Sequence, residues 1–320
     1  ELDRNVGYLA ALMARFGMAD RWAYRVRSGG EAWWFGMSDS RRRDVVASAD
    51  VLLDVSGALD RPEDYRGAGR LVFIDTDPGF VQLRLQRGEA RERERVSAHD
   101  VHFSFGERMP GTLPDGGVRW LPTRQPILLS AWRTEEAPRP VYTTVMNWSS
   151  YQVERWRGRR YGQKNVEFLR CVSLPRRLPG VRFEIACAHG PGRVAPLTLL
   201  ERNGWQVVDP TTACPDLDGY RRYVQRSRAE WSVAKNAYVR GRTAWFSERS
   251  ACYLAAGRPV VVQDTGFSEV LPVGLGIVPF TTPAEAVEAV RSVEADYARH
   301  AHAAHEIARE YFASGVVLRS

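Results

Sequence analysis

The stretch AWFSERSACYLAAGRPVVVQDTG, Ala244 to Gly266, decides the fold. It runs from a polar turn into an alanine-rich segment, then Gly257-Arg258-Pro259, a β-branched run and Asp264-Thr265-Gly266. Ser247 fits the N-cap of a helix, where a hydroxyl accepts a first-turn amide. Gly257 can adopt the left-handed conformation that ends such a helix, and Pro259 stops it resuming. Val260, Val261 and Val262 read as a short parallel strand buried on both faces. A helix start beside Arg249 and Ser250 suits a phosphate, because unpaired amides and the helix dipole point the same way.

The 320 residues are long for one core and comfortable for two domains. Apolar residues make up 44% of the chain, yet no uncharged apolar run reaches the length of a membrane helix. A soluble protein with no membrane span is expected. Glu1-Leu2-Asp3 lacks an initiator methionine, as expected of a fragment that begins inside a domain. Cys171, Cys187, Cys214 and Cys252 show no paired spacing, which points to reduced thiols in the cytoplasm. Cys187 and Cys252 lie in apolar stretches and read as packing residues.

Basic residues number 45 against 38 acidic ones, a net charge of +7, and all but Lys164 and Lys235 are arginine. Acids alternate with bases in Arg91-Glu92-Arg93-Glu94-Arg95, the mark of a solvated helix face and not of a nucleic-acid surface. A modest positive field suits a small phosphorylated substrate instead.

Strand, loop and helix repeat along the chain. Val51–Val55, Leu71–Ile74 and Val101–Phe105 read as buried strands, and the proline-bearing stretch Thr123–Pro140 as a connection. A second series follows: strand Tyr142–Met146, a loop rich in glycine and arginine, helix Val166–Cys171, then strands Phe183–Ala188 and Trp205–Val208. Helix Tyr220–Arg228 and strand Ala229–Val233 lead into the opening segment. This alternation implies α/β architecture: two Rossmann-like domains, residues 1–135 and 136–320, each a parallel sheet flanked by helices, with a cleft between. Near the end, Thr282-Pro283-Ala284-Glu285 forms a capping box. A further helical run spans about Asp296–Phe312; its His300, His302 and His305 read as solvated, and no metal site is expected. Tryptophans 120, 132, 148, 156, 205, 231 and 245 read mainly as core.

Arg258-Pro259-Val260 through Asp264-Thr265-Gly266, then Glu269-Val270, Gly274 and Gly276, resembles the donor-binding half of GT-B nucleotide-sugar glycosyltransferases. The resemblance covers residues from about 140 onward and is specific in its last third; the amino half shows a compatible alternation. The whole is similar to a bacterial, actinobacterial-type branch of these enzymes. It implies a donor held by the carboxy-terminal domain, an acceptor held by the amino-terminal one, and sugar transfer to a hydroxyl.

The resemblance also assigns residues. Lys164 takes the place of a basic residue that neutralises the donor diphosphate. Its loop, Gly158 to Asn165, is a near miss to a nucleotide P-loop. Ser247, Glu248, Arg249 and Ser250 fall on the turn that contacts donor phosphate and sugar. Asp264, Thr265 and Gly266 form the Asp-x-Gly turn, where glycine lets backbone approach the ligand. Apart from the resemblance, Lys235 stands just beyond an expected strand, whose end opening onto the cleft would bring it within reach of the donor; a surface turn is the equal alternative. Two glutamates eight positions apart, common in retaining members, are replaced here by Ala244 and Cys252. For a general base the candidates are Asp75 and Asp77, which end a strand as Asp-x-Asp, together with His99 and His102; turn capping is the alternative role for the aspartates. No metal and no cofactor beyond the nucleotide-sugar donor is expected. The alternatives are a binding module that has lost catalysis and a nucleotide-sugar epimerase of the same fold.

Overall fold

A computed structural model describes residues 2–28, 31–150, 152–188 and 194–319. The chain divides into two compact units. One comprises residues through Phe73 with Glu94–Val101; the other comprises Ile74–Arg93 with the residues from His102 on.

The first unit opens with helix α1 (Leu2–Arg15) and an antiparallel hairpin, β1 (Ala23–Ser28) and β2 (Glu31–Gly36), in register from Ala23 opposite Gly36. Neither α1 nor the hairpin is foreshadowed by the alternation in the sequence. Helix α2 (Asp39–Ser48) starts at Ser38, whose hydroxyl accepts the Arg41 amide at 3.3 Å. Its Arg42 lies 4.0 Å above the Trp34 ring. Strand β3 (Leu52–Val55) follows.

The chain continues through β4 (Leu71–Asp75), α3 (Phe80–Gln86), α4 (Ala90–Ser97), β5 (Val101–Ser104) and β6 (Leu121–Pro122). The four strands make one sheet in the order β3-β4-β5-β6. The three strands expected in this half are present, each shifted by a residue or less, but the first is not the buried strand expected: Val51, Leu53 and Val55 are exposed and of β3 only Asp54 is buried.

The second unit is built on β7 (Val141–Asn147), β10 (Arg182–Ala188), β11 (Trp205–Val208), β12 (Ala229–Ser232), β13 (Val260–Gln263) and β14 (Ile277–Phe280). They form a six-stranded sheet in the order β11-β10-β7-β12-β13-β14, and every pairing is parallel. Counted within this sheet the order is 3-2-1-4-5-6, the doubly wound arrangement. Between the strands lie α5 (Lys164–Arg170), α6 (Leu217–Arg226), α7 (Asn236–Gly241) and α8 (Glu248–Ala255), and after the last come α9 (Pro283–Ala295) and α10 (Tyr297–Ile307), alongside shorter helical turns. Val260 and Val261 are wholly buried, as a strand covered on both faces requires. One side of the sheet carries an aromatic core in which Trp231 stacks on Phe280 at 5.7 Å. The capping box of α9 is formed, with Thr282 and Glu285 each accepting from the other's backbone.

Two expectations are corrected. The glycine-arginine loop after β7 contains a hairpin, β8 (Glu154–Trp156) and β9 (Arg159–Tyr161). Arg157 and Gly158 both have positive φ, as the tight turn of such a hairpin demands. Gly158 therefore sits in the tight turn of a hairpin and not in an open loop. His300 is not solvated: it is buried, and its Nδ1 accepts the Gly276 amide at 3.3 Å.

Candidate functional site

The strand order reverses between β7 and β12, since β7 connects outward to one side and β12 to the other. Ligands of open parallel sheets bind outside the carboxyl ends of strands at such a reversal, where consecutive connections part to opposite faces. Lys164 follows β7, Lys235 follows β12, Ser247–Ser250 opens α8, and Asp264–Gly266 follows β13.

Lys164 is the first residue of α5 and is partly buried. Among the described residues no carboxylate lies within ion-pairing distance of it. Burial, aided by the like charges of Arg249 and Lys235, pushes its ammonium down to about 7. Three cations, from the starts of α5 and α8 and from the loop after β12, thus lie close enough to act on one another.

What holds two of these loops is a carboxylate that sequence reasoning missed. Glu167 is 2% exposed and accepts from Asn236 Nδ2 at 2.6 Å, Gln263 Nε2 at 2.7 Å and Arg170 at 2.8 Å. Both amides have their orientation fixed from the far side. Asn236 Oδ1 accepts the Gly162 amide at 3.1 Å, and Gln263 Oε1 accepts the Ala234 amide at 3.2 Å. Each amide must then point its NH2 at position 167, and only a residue that accepts twice satisfies them. The loops bearing Lys164 and Lys235 are tied to the end of β13 in this way.

At α8 the sequence places the helix correctly but misjudges its cap. Ser247 occupies the N-cap position, yet its side chain makes no capping hydrogen bond. The amides of Glu248, Arg249 and Ser250 have no protein acceptor among the described residues. Ser247, Arg249 and Ser250 line a pocket with Ser232, Trp245 and Phe246. Arg249 is not an open charge: its Nε donates to Glu230 at 2.6 Å and its Nη1 to the Val145 carbonyl at 2.7 Å. Burial opposes the guanidinium charge, but the attraction of Glu230 outweighs it and holds the group above its ordinary range. Glu248 is exposed at the first turn of the helix. Ala244 and Cys252, which replace the glutamate pair, are buried, and Ala244 adopts a left-handed φ of 61°.

In the turn after β13, Asp264 accepts from the Gly266 amide at 2.9 Å and the Ser268 hydroxyl at 3.0 Å. The Thr265 hydroxyl donates to the Trp245 carbonyl. Both side chains shape the turn. Gly266 has φ +98°, and a Cβ there would stand 3.2 Å from the Arg242 carbonyl oxygen.

The base candidates separate by environment. Asp75 is 2% exposed and accepts from Gln82 Nε2 at 2.7 Å, Ser104 at 3.1 Å and the Asp77 amide at 3.2 Å. Burial pushes its carboxyl up to about 6. His99 is buried too, with Nδ1 on the Arg95 carbonyl at 2.9 Å and Nε2 3.2 Å from Asp54. His102 packs edge-on against Trp120 at 5.7 Å. Asp77 meets one of the cations, Lys235. Its Oδ1 accepts from Lys235 Nζ and from the Tyr238 hydroxyl, while a third of its side chain stays exposed at 30%. The Lys235 ammonium also lies 5.4 Å from the Phe80 ring centre and 5.2 Å from that of Tyr238.

Among solved structures, the fold matches HepE of Anabaena, described in complex with UDP and glucose, with TM-score 0.58 and 10% identity over 88% of this chain and 78% of that one. It matches sucrose-phosphate synthase from Thermosynechococcus elongatus with TM-score 0.57 and 13% identity, over 84% and 71%. This chain has the GT-B fold. AviGT4, a glycosyltransferase involved in avilamycin A biosynthesis, gives TM-score 0.52 and 13% identity over 89% and 77%. The chain spans 63% of the length of the matched chain in the GtfA/B complex. No family model and no curated protein matches it in sequence. The GT-B likeness read from the last third of the sequence thus extends over the residues before position 140, where alternation was the only sign. Among the described residues, no helix is long and apolar enough to cross a membrane.

Proposed function

We propose that the protein is a cytoplasmic glycosyltransferase that moves a sugar from a nucleoside-diphosphate donor to a hydroxylated acceptor. Residues 136–320 hold the donor and residues 1–135 the acceptor. One observation carries this: the unpaired, partly buried Lys164 ammonium shares the strand-order reversal with Lys235, Arg249 and the open amides of α8. Partly desolvated cations and fixed amides stabilise charge that develops on a leaving group better than water does. That charge would sit on the diphosphate. The GT-B fold supports the class of reaction, and the free cysteines support the compartment.

In a direct displacement the acceptor oxygen bonds to the anomeric carbon as its proton passes to a carboxylate. The carbon–oxygen bond to the diphosphate breaks, and its electron pair leaves with the β-phosphate oxygen. Asp77 is the base in this scheme, because Asp75 is enclosed by three donors while Asp77 stays partly exposed beside Lys235. Lys164 and the α8 amides meet the departing charge. The protein's own cations fill this role, so the scheme calls for no metal and no further cofactor.

The test is a panel of UDP-, GDP-, ADP- and dTDP-sugars incubated with mixed hydroxylated acceptors and assayed for released nucleoside diphosphate and glycosylated product. Acceptor-dependent release from one donor is expected. Isomerised donor without acceptor would mean an epimerase, and no binding of any nucleotide sugar would overturn the proposal.

A further inference from the structure

At rest, Lys235 already has an anion. Its ammonium, 13% exposed, contacts Asp77 Oδ1 and stands beside the faces of Phe80 and Tyr238. The Tyr238 hydroxyl, wholly buried, donates to the same carboxylate oxygen. Burial and the neighbouring Asp77 charge hold the Tyr238 phenol far above its ordinary value, so it remains a donor at any working pH. The Trp245 indole donates to the Thr76 carbonyl at 3.2 Å, which seats the Asp77 turn against the residues just before α8.

We infer that Asp77 is an internal counterion which the donor diphosphate displaces from Lys235, and that the carboxylate becomes a usable base only through this exchange. The inference rests on the donor site proposed above. A carboxylate bound to an ammonium is a poor base, since taking a proton would cost it the ion pair. When a diphosphate oxygen takes over the ammonium, Asp77 keeps the Tyr238 hydrogen bond, which holds its orientation, and loses the charge that suppressed its basicity. The acceptor hydroxyl is then deprotonated only when a donor is in place. Donor therefore acts before acceptor, and idle deprotonation at an empty site is avoided.

The exchange makes a prediction of unusual sign. If the pair merely positions Lys235 for phosphate, then removing Asp77 weakens diphosphate binding. If Asp77 competes with phosphate, then removing its charge tightens binding. The experiment is a calorimetric titration of UDP, GDP, ADP, dTDP and inorganic pyrophosphate into wild type, Asp77→Asn and Asp77→Ala, with turnover measured in parallel. Expected is an affinity about tenfold higher in both variants, from loss of one partly buried charge contact, together with loss of turnover. Two variants are used because Asn can still accept from Tyr238 and Ala cannot; a melting curve for each shows that it is folded. Unchanged or weaker binding in a folded variant overturns the exchange while leaving the donor site intact. Wild type that binds none of the five ligands overturns the donor site, and the exchange falls with it.

Discussion

Arg249 and Glu230 form an ion pair 2.6 Å long in which the carboxylate is wholly buried and the arginine is 11% exposed. Such a pair is costly to break and inexpensive to replace, because removing one partner strands the other's charge in the interior. Arg249→Met is expected to lose roughly 3–5 kcal/mol of stability. The double variant Arg249→Met with Glu230→Gln should recover more than half of that loss. Urea unfolding of wild type, Arg249→Met, Glu230→Gln and the double variant measures both numbers, and additive losses would mean the two groups are not coupled.

Glu167, a double acceptor, satisfies two amides whose NH2 groups both point at it. Glu167→Gln sets an NH2 against one of them, at an expected cost of about 1–3 kcal/mol. Adding Asn236→Asp supplies an acceptor for the new donor while keeping an oxygen for the Gly162 amide. Thermal unfolding should show the double variant more stable than Glu167→Gln alone, with diphosphate affinity restored in step. A double variant less stable than either single one would contradict the assigned orientations.

Gly266 is tested by alanine. With φ at +98° and a Cβ 3.2 Å from the Arg242 carbonyl oxygen, Gly266→Ala combines an unfavourable backbone with a contact that has little room to give. A loss on the order of 1–3 kcal/mol is expected in urea unfolding. No measurable change would show that the turn after β13 relaxes freely.

Asp75 predicts a pH slope. Its carboxyl ordinarily titrates at 3.8 and is raised to about 6 by burial. Between these values the folded protein holds a proton that the unfolded chain has released, so this group lowers stability as pH rises through that window. Asp75→Asn removes the slope. The stability of the variant relative to wild type should increase from pH 4 to pH 7, whatever constant offset the amide introduces. Urea midpoints across that range decide it; a difference that stays flat or falls would contradict the assignment.

Much of the carboxy-terminal unit was legible in the sequence because its signals are local. Gly257 and Pro259 bracket a helix end, Val260–Val262 fit a doubly buried strand, and Thr282 with Glu285 spells a capping box. Lys164 stood out as one of two lysines in a chain otherwise basic through arginine. The partners of these residues were not legible, because they are distant in sequence. Arg249 looked like an open phosphate ligand until Glu230, 19 positions earlier, was placed beside it. A signal for that pair existed: Glu230 stands within the otherwise uncharged strand Ala-Glu-Trp-Ser, and a carboxylate buried there requires a cation. The β8–β9 hairpin was missed for a different reason. Its strands are three residues each, too short for alternation to show, and its Arg157-Gly158 turn reads equally well as an open loop.

The central claim is that Lys164 meets a diphosphate, and proton uptake measures it most directly. With its ammonium lowered to about 7, Lys164 is largely neutral at pH 8 in the free protein. A bound diphosphate favours the charged form and restores the proton. The measurement is calorimetric titration of the tightest-binding nucleoside diphosphate at pH 8 in buffers of different ionisation enthalpy, with wild type and Lys164→Ala. Wild type should take up close to one proton per ligand, and its affinity should fall by up to about tenfold per pH unit above 7. Lys164→Ala should bind about 10–100-fold more weakly and lack the extra proton. Equal affinity and equal proton uptake in the two proteins would contradict the claim.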